Sequence, residues 1–499
     1  MKKVLLVLSL SLPLFAGMEK LSLANAINIL KKENLELRVA KFEAKMKALE
    51  AKAVKGMNYG KADLTLMAMR SNDAGNVFGF KLQSREATFA DFGFSDFMGA
   101  IGQGAMQSGG DFGRFSQGLA QNGDAILNIA PNDLNYPEAR THYQTKLTYM
   151  LPLYTGGKLT EYGRITRGLH RLSLLDSKKV LNAKIFETKK AFYDISLVEN
   201  YIYHLSQIIK NINKLELVVK NMEKEGYAKE TDLLEVEARK AEAESMYNQA
   251  KLNRELAYQF LSFLLNTEVN SIRRVKDRAP MPSVNKALLE QNNLDIQKAK
   301  LGLEITKHAV ALEKSRYLPE VGGFAEYSSA DDKLWNDFTG KDAYTVGVQV
   351  KWNLFNGGSD DAEYEKAKVN YLKTKSQVEL ARKGIALKAK KLRTEILSAD
   401  ADIRSFLKQY RFAQKVYENY QTRYKEGMVS ISDVLIKQSK ELEVLLKLLT
   451  AKNKRNTKVF ELDSLLNREG KESIYHNNLG TGKSINKNIE TQVGKGDKV

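Results

Sequence analysis

The sequence contains no cysteine and only seven prolines among its 499 residues. Without cysteine, the chain has no disulfide framework, no thiolate metal site and no lipid-bearing cysteine. No proline lies between Leu153 and Ala279, and none follows Glu320. Proline-free stretches of that length, rich in Lys, Glu, Ala and Leu, predict long helices rather than a compactly packed domain.

Long apolar runs are also absent, apart from one at the start of the chain. Lys2 and Lys3 precede an almost wholly apolar run from Val4 to Leu12, and the stretch ends at Ala16. The run is shorter than the ~20 residues that a membrane span needs, so we interpret residues 1–16 as a secretory signal peptide rather than an anchor helix. We therefore predict an exported chain without a transmembrane helix.

The sequence also lacks the arrangements that enzymes require. It has no phosphate-binding glycine loop, no Ser/His/Asp combination and no metal-ligand spacing, and its five histidines are scattered. The net charge of +18 suggests nucleic acid binding, but glutamates lie between the lysines along predicted helices, which is typical of solvated helix faces. We expect that the chain is not an enzyme, uses no cofactor or metal, and binds no nucleic acid.

Two duplicated strand patterns stand out from the helical background. Tyr344 to Trp352 alternates apolar and polar residues, and a Gly-Gly pair follows at Gly357. Tyr143 to Leu151 alternates in the same way before a Gly-Gly pair at Gly156, and both comparisons give an offset of 201 residues (344 − 143 and 357 − 156). A period of two predicts strands that lie between an apolar and a wet environment.

The duplication extends to the elements before these strands. Asn34-Leu-Glu-Leu and Asn293-Leu-Asp-Ile lie within amphipathic helical patterns 259 residues apart (293 − 34), and an alternating run follows each, at 62–70 and 321–328. Each half therefore predicts helix, strand, connection, strand, long helix, turn and helix. The two offsets differ by 58 residues (259 − 201), which fall in the first half, between Ser71 and Thr141.

The connection between Ser71 and Thr141 is rich in glycine and phenylalanine and lacks hydrophobic periodicity. A connection of this length suggests a functional or protective role, and its phenylalanines favour partial order over a disordered insertion. The tail from Glu469 to Val499 is rich in Lys, Gly and Asn, and we predict that it is disordered.

The segments after the two Gly-Gly pairs have the apolar spacing of a coiled coil. As a helix, residues 357–428 would span ~110 Å, which no single globular domain needs. A fibrous coiled coil is the alternative, but fibres do not usually carry four alternating strands in two duplicated pairs. The first apolar stripe is Ile195, Val198, Ile202, Leu205, Ile209, Ile212 and Val219, and the second is Ile396, Ala399, Ile403, Phe406, Tyr410, Ala413 and Tyr420.

Four strands cannot close a barrel, and their open edges would pair with other chains. One predicted face of these strands is apolar, the other carries Gln, Lys, Thr and Gly, and their length approaches the ~9 to 11 residues of a tilted membrane strand. We therefore predict outer-membrane strands that neighbouring copies of the chain complete.

From Glu19 to about Arg468, the sequence resembles the TolC family of outer-membrane export ducts. The resemblance rests on the order of elements, on the junctions Leu151-Pro-Leu-Tyr-Thr-Gly-Gly and Trp352-Asn-Leu-Phe-Asn-Gly-Gly, and on two turns 201 residues apart. Each motif alone is weak, but their shared spacing is specific. In the long connection, the Phe78-Gly-Phe-Lys-Leu-Gln segment is similar to family members with an extended first loop.

The resemblance implies a mainly α-helical fold with membrane β-strands. In such a fold a homotrimer builds a 12-stranded outer-membrane β-barrel, four strands per chain, that is continuous with a long periplasmic α-helical coiled-coil barrel. The implied function is that of an outer-membrane channel of a tripartite efflux system: an exit duct for small molecules or metal ions. Its implied partners are a periplasmic adaptor protein, an inner-membrane pump and outer-membrane lipid.

Two other functions remain open at this point. One is the exit duct of a type I protein secretion system, and the other is a periplasmic coiled-coil adaptor or structural protein. An adaptor needs a lipoyl-like β-domain between its hairpin arms, and the sequence contains no such pattern.

These interpretations divide the chain into eight segments. In order, they are a signal peptide (1–16), periplasmic helices of the first repeat (17–57), a strand pair with a long extracellular loop (58–155), a long periplasmic helix pair (156–279), periplasmic helices of the second repeat (280–317), a second strand pair (318–356), a second long helix pair (357–468) and a disordered tail (469–499).

The two turns carry the predicted functional residues. Gly226 and Gly427 suit the left-handed caps that end helices, and Ser430 or Asp433 can cap the helix that follows. The same capping role is open to Thr231 or Asp232 in the first turn and to Ser432 in the second.

The resemblance adds functional roles at these turns. It implies a periplasmic constriction at Asp433 and Ile436, where some family members have a second aspartate in place of the isoleucine. Val429 stands where they have a latch arginine, so we predict a weakened polar latch. The remaining implied residues are Asp232 and Tyr424 in the gate latch and Gly226, Tyr227, Gly427 and Met428 in adaptor docking.

Overall fold

The computed structural model describes residues 18–467, so the predicted signal peptide (1–16) and the predicted disordered tail (469–499) lie outside the described residues. The described chain is mostly helical and contains one antiparallel sheet of four strands, which confirms the predicted fold class. Between residues 18 and 467, no helix combines the length and the apolar character that a membrane crossing requires.

The chain forms two compact units. Within the described residues, a helical unit contains 18–48, 167–307 and 369–467, and a sheet unit contains 49–166 and 308–368. In chain order, the elements are α1 (Leu23–Glu33), α2 (Leu35–Gly56), β1 (Lys61–Ser71), α3 (Ala74–Gln83), α4 (Phe94–Gln107), α5 (Phe112–Leu127), α6 (Asn132–Asn135), β2 (Arg140–Tyr154), α7 (Lys158–Lys224), α8 (Glu230–Leu265), α9 (Lys286–Asn292), α10 (Leu294–Lys314), β3 (Glu320–Asp331), β4 (Asp342–Lys351), α11 (Ser359–Lys425) and α12 (Ile431–Leu466).

The long helices repeat with the predicted offset. Both α7 and α11 contain 67 residues, and both α8 and α12 contain 36. At 1.5 Å per residue, a helix of that first length extends for ~100 Å. The apolar stripes predicted from the heptads face the protein interior: Ile195, Leu205, Ile212, Val219, Ile396, Ala399, Ile403 and Ala413 are all buried.

Two asparagines repeat the same buried junction. Asn34 separates α1 from α2, where its Oδ1 accepts from Leu37 N (2.9 Å) and its Nδ2 donates to Leu264 O (2.8 Å). Asn293 starts α10 with an equivalent cap and donates to Leu465 O at 2.9 Å. Each side chain thus caps one helix and satisfies a carbonyl at the C-terminal end of another. The sequence predicts several helices in 17–57 and in 280–317 without locating their boundaries, and the structure places one boundary at each asparagine.

The sheet has the order β1-β2-β3-β4, so β1 and β4 are its edges. The register pairs Leu64 with Leu147, and Tyr149 with Ala325, which lies opposite Val346. Residues of one face are apolar and exposed in the single chain: Leu64, Leu66, Leu147, Tyr149, Val346, Val348 and Val350. The opposite face, which we call the polar face, carries Asp63, Thr65, Gln144, Lys146, Thr148, Glu326 and Gln349.

An ion pair and two tryptophan hydrogen bonds fix side chains of the sheet unit. On the polar face, Lys146 forms an ion pair with Glu326 at 2.6 Å.

The two tryptophans lie beyond opposite ends of β4: Trp335 Nε1 donates to Thr145 Oγ1, and Trp352 Nε1 donates to Tyr317 O, each at 3.1 Å. Aromatic residues therefore flank this strand at both ends.

The predicted strand-to-helix junctions require glycine. Gly156 and Gly157 have φ values of 61° and 88°, and Gly357 and Gly358 have 57° and 80°. A Cβ on Gly156 would lie 2.9 Å from Ser315 O, so a side chain would collide with the neighbouring backbone.

The long connection between β1 and β2 is helical rather than irregular. It contains α3, α4, α5 and α6, with the two longer helices, α4 and α5, in contact with each other. This agrees with the expectation of an at least partly ordered loop.

Candidate gate at the helical turns

The two predicted turns lie at one end of the helical unit. Residues 225–229 join α7 to α8, and residues 426–430 join α11 to α12. Side chains from all four helices form an apolar group near the turns, which we call the tip cluster. Its buried members are Ile208, Ile212, Leu215, Val219, Val236, Ala243, Tyr417, Tyr424, Ile431, Val434 and Leu435.

Glycine ends the first long helix of each pair. Gly226 and Gly427 have φ values of 77° and 72°, which confirms the predicted left-handed caps. In the second turn, Met428 N donates to Arg423 O at 2.9 Å, so the turn closes back on the helix. The side chains of Tyr227 and Met428 are 79% and 66% exposed, and they are therefore open to contact with another molecule.

Asp433 is the third residue of α12 and forms a reciprocal cap with Ser430. Ser430 Oγ accepts from Asp433 N (3.1 Å), while the Asp433 carboxylate accepts from Ser430 N (3.2 Å) and from the Ser430 hydroxyl (2.6 Å). The hydroxyl bond first, and the backbone bond second, lower the pKa of Asp433 below its ordinary value. The predicted cap is confirmed, and the carboxylate is ionised at neutral pH in the single chain.

The first turn has only half of this cap. Lys229 N donates to Asp232 Oδ2 at 3.1 Å, which makes Asp232 the equivalent of Asp433. Lys229 occupies the position of Ser430 and has no side-chain acceptor for the helix N–H groups. The α8 helix therefore begins with one capping bond fewer than α12.

Tyr424 and Asp232 lie close enough to interact electrostatically. The Tyr424 side chain is buried, and among the described residues its hydroxyl has no hydrogen-bond partner. Burial raises the pKa of Tyr424, and the Asp232 charge raises it further. The structure thus brings the two predicted latch residues together without a direct hydrogen bond between them.

A contact between the turns was not predicted from the sequence. Ser432 Oγ donates to Glu235 Oε2 at 2.6 Å and so connects the start of α12 to α8. From the sequence, we predict only a capping role for Ser432. The pairing could not be found from spacing, because it joins positions that are not equivalent in the two repeats.

The two departures from the family pattern have different environments. Ile436 is 60% exposed, one helical turn beyond Asp433 on the same side of α12. Val429 packs against the tip cluster. A valine at position 429 therefore adds to the apolar packing and provides no polar latch.

A buried polar group near the tip cluster was also missed. Tyr417 Oη accepts from Gln421 Nε2 (2.7 Å) and from Gln438 Nε2 (3.3 Å). Glu441 lies one turn after Gln438 and is only 6% exposed; burial and, secondarily, the Glu418 charge raise its pKa to about 7. One sequence feature could have revealed this group: Gln438 and Glu441 are polar, lie three residues apart, and occupy positions of α12 where the helical pattern predicts buried apolar residues.

Comparison with known proteins agrees with this architecture. Residues 286–468 match the family model described as outer membrane efflux protein. This part of the chain is therefore similar to that family. The match confirms the resemblance to the TolC family, and it favours a channel over an enzyme or a periplasmic adaptor. No curated protein sequence matches the chain.

Solved structures with the same fold are outer-membrane channels. The chain matches CusC with a TM-score of 0.70 and 13% identity, covering 89% of this chain and 91% of that one. The match to the Campylobacter jejuni channel CmeC has a TM-score of 0.66 and 14% identity, and it covers 89% of this chain and 85% of CmeC. The match to the open state of the Neisseria gonorrhoeae channel MtrE has a TM-score of 0.67 and 14% identity, and it covers 89% of this chain and 88% of MtrE. At these identities, the matches establish the fold.

Proposed function

We propose that the chain is the outer-membrane exit duct of a tripartite efflux system, in which three copies form one channel. The observation that carries this proposal is the four-stranded sheet, which has an exposed apolar face and two unpaired edge strands. An apolar face is stable against lipid, and unpaired edges are stable when strands of other copies complete them. Three copies would supply twelve strands, a number that closes a membrane barrel.

In this proposal the duct is passive, and the pump supplies the energy. Long helices with buried apolar stripes would continue the channel into the periplasm as a helical tube. The cargo would be small molecules or metal ions selected by the pump, because the polar face of the sheet offers mixed polar side chains rather than one specific site.

The gate would lie at the helical turns. Asp433 of three copies would form a ring of carboxylates, and Ile436 would form an apolar ring one helical turn away. Tyr424 and Asp232 would hold the closed arrangement, since the buried Tyr424 hydroxyl can donate to the nearby Asp232 carboxylate after a small movement. Opening would separate these groups and widen the ring.

The adaptor would bind beside the glycine caps. Gly226 and Gly427 turn the chain without a side chain, while the exposed Tyr227 and Met428 offer an aromatic and a flexible apolar contact. Tyrosine is enriched among the residues that dominate binding energy, and methionine adapts to irregular apolar partners.

The test of this function has two parts. The purified protein should behave as a heat-modifiable trimer from the outer-membrane fraction, and it should restore efflux in cells that hold a compatible pump and adaptor. Combining Tyr227→Asp with Met428→Asp should leave the trimer intact but abolish efflux, because charges would face the apolar adaptor contact.

Phe412→Asp provides the matched control, because Phe412 is an exposed apolar residue of α11 away from the turn. This variant should keep its efflux activity. A soluble periplasmic monomer would contradict the proposed duct, and equal efflux in all variants would contradict the docking site alone.

A further inference from the structure

The helical connection between β1 and β2 lies on one particular face of the sheet. The Phe80 ring of α3 stacks on His142 of β2, with ring centroids 4.2 Å apart and planes 6° from parallel. At the end of α3, Gln83 Oε1 lies 3.5 Å from Gln144 Nε2, which donates to it. Because side chains alternate along a strand, His142 and Gln144 share the polar face with Thr148. The first helix of the connection therefore covers the end of the polar face.

An ion-pair network fixes the connection in this position. Glu86 pairs with Arg140, at the start of β2, and with Lys341, which also binds Asp331 at 2.7 Å. Arg85 donates to the carbonyl of Asp342 at the start of β4. Burial alone would raise the pKa of Glu86, but the hydrogen bonds from Lys341 and Arg140 hold it below its ordinary value. The connection is thus bonded to three strands at one end of the sheet.

The same network explains a group of carboxylates that could otherwise suggest a metal site. Glu86, Asp331 and Asp332 lie close together. The Lys341 ammonium binds two of them and already supplies the positive charge between them. We therefore assign this group to the fixation of the connection.

The hairpin formed by α4 and α5 leaves apolar side chains uncovered. Phe94, Met98, Met106, Phe112, Leu119 and Leu127 are all exposed in the single chain. The hairpin, residues 94–127, contains three acidic side chains and one basic side chain. With a net charge of only −2 (1 − 3), the hairpin offers mainly apolar side chains for contact, and the single chain leaves them without a partner.

We propose that this connection is an extracellular lid, in which the α4–α5 hairpins of neighbouring copies pack on one another across the mouth of the channel. This inference rests on the proposed trimeric duct, because the polar face lines the lumen only when the barrel is closed. The α3 helix is held on that face, so each copy places its hairpin over the same opening. The partner of each apolar side is therefore a second copy of this chain.

The lid can be tested by thiol labelling, because the natural chain has no cysteine. Thr148→Cys places a thiol on the polar face of β2, below the connection. In intact cells, a small membrane-impermeant maleimide should reach this thiol, but a polymer-linked maleimide should be excluded. Replacing residues 94–127 by a short Gly-Ser linker should raise the labelling rate of the polymer reagent by about tenfold or more, since lids control access to the space behind them.

A second cysteine separates failure of the lid from failure of the duct. Leu334→Cys lies in the exposed connection between β3 and β4, outside the proposed lid. It should react with both reagents whether or not the hairpin is present. Absence of labelling at this position would overturn the outer-membrane placement. Normal labelling at 334, with polymer labelling of Thr148→Cys unchanged by the deletion, would overturn the lid alone.

A pair of charge variants keeps the test informative if the deletion prevents assembly. Phe94→Asp with Met98→Asp adds two charges to the apolar side of α4, so neighbouring hairpins should repel one another and admit the polymer reagent. Gln117→Asp with Gln121→Asp adds the same charge to the opposite side of α5 and should leave the lid closed. Equal exclusion of the polymer in both double variants would overturn the packing between copies.

Discussion

Asp433 contributes both a charge and a helix cap. Its carboxylate accepts two hydrogen bonds from Ser430, so removing it alters the start of α12 as well as any ring of charges in an assembled channel. The two effects can be separated because Ser430 takes part only in the cap.

Asp433→Ala should reduce cation selectivity and block by multivalent cations in single-channel recordings. A ring of carboxylates attracts cations, and removal of the ring leaves the apolar Ile436 next to the constriction. Ser430→Ala should lower stability by about 1 kcal/mol, as the loss of a cap does, while cation selectivity persists. Unchanged block in Asp433→Ala would exclude the carboxylate ring.

Glu441 should make stability depend on pH. Its ordinary pKa is 4.5, and burial raises the value in the folded chain to about 7. Between these values the unfolded chain has released the proton while the folded chain retains it, so the free energy of unfolding falls as pH rises. From the size of this pKa shift, the free energy of unfolding falls by at most about 3 kcal/mol.

Glu441→Gln removes the titrating group and should abolish this loss. The variant should be more stable than the natural protein at pH 8, and the difference should shrink towards pH 4.5. Chemical denaturation of both proteins at several pH values measures this difference in the free energy of unfolding. Glu443→Gln is the control, because Glu443 is an exposed neighbour on α12 whose pKa is lowered to about 2 by hydrogen bonds from Lys440 and Lys447. A parallel pH profile for the natural chain and Glu441→Gln would show that Glu441 does not titrate in this range.

At the scale of elements, the buried asparagines join helices that are far apart in sequence. Asn34 and Asn293 each combine a cap with a bond to a helix-terminal carbonyl, Leu264 O or Leu465 O. A buried carbonyl without its donor is costly, in addition to the loss of the cap.

Asn34→Ala and Asn293→Ala should therefore each lower stability by roughly 2 to 3 kcal/mol, from about 1 for the cap and 1 to 2 for the unsatisfied carbonyl. Ser22→Ala should cost only about 1 kcal/mol, because the Ser22 hydroxyl caps α1 through an exposed bond to Asn25 N and reaches no other helix. Chemical denaturation of the three variants compares these values. Equal losses would contradict the bridging role.

The sequence predicted those elements whose signal is periodic or repeated. The 201-residue offset identified both strand-to-helix junctions and both glycine caps, because these depend on local backbone conformation. It did not predict the boundary at Asn34, where a polar residue sits inside an otherwise continuous helical pattern. The contact between Ser432 and Glu235 depends on how the repeats pack, which spacing alone does not encode.

At the scale of the whole molecule, duplication and exposed apolar surface point to assembly. The long helices repeat in two pairs of equal length, while a helical connection between paired strands occurs in the first repeat only. A complete channel of three copies would therefore have six similar helix pairs but three lids.

Val348→Arg tests whether the apolar face meets lipid. A charge near the middle of a membrane strand costs about 2 to 4 kcal/mol, so the yield of heat-modifiable trimer in the outer membrane should fall. Gln349→Arg places the same charge on the polar face and should assemble normally. Equal yields would show that the face containing Val348 does not lie against lipid.

The two tryptophans beyond the ends of β4 have a practical consequence. Trp335 and Trp352 are the only tryptophans in the sequence, and β4, with its ten residues, separates them. Indole side chains settle at the boundaries between lipid and water, so the intrinsic fluorescence of the unmodified protein would report on both surfaces of the bilayer. Single Trp→Phe variants would resolve each boundary, and lipids carrying quenchers at known depths would measure how far the strand is immersed.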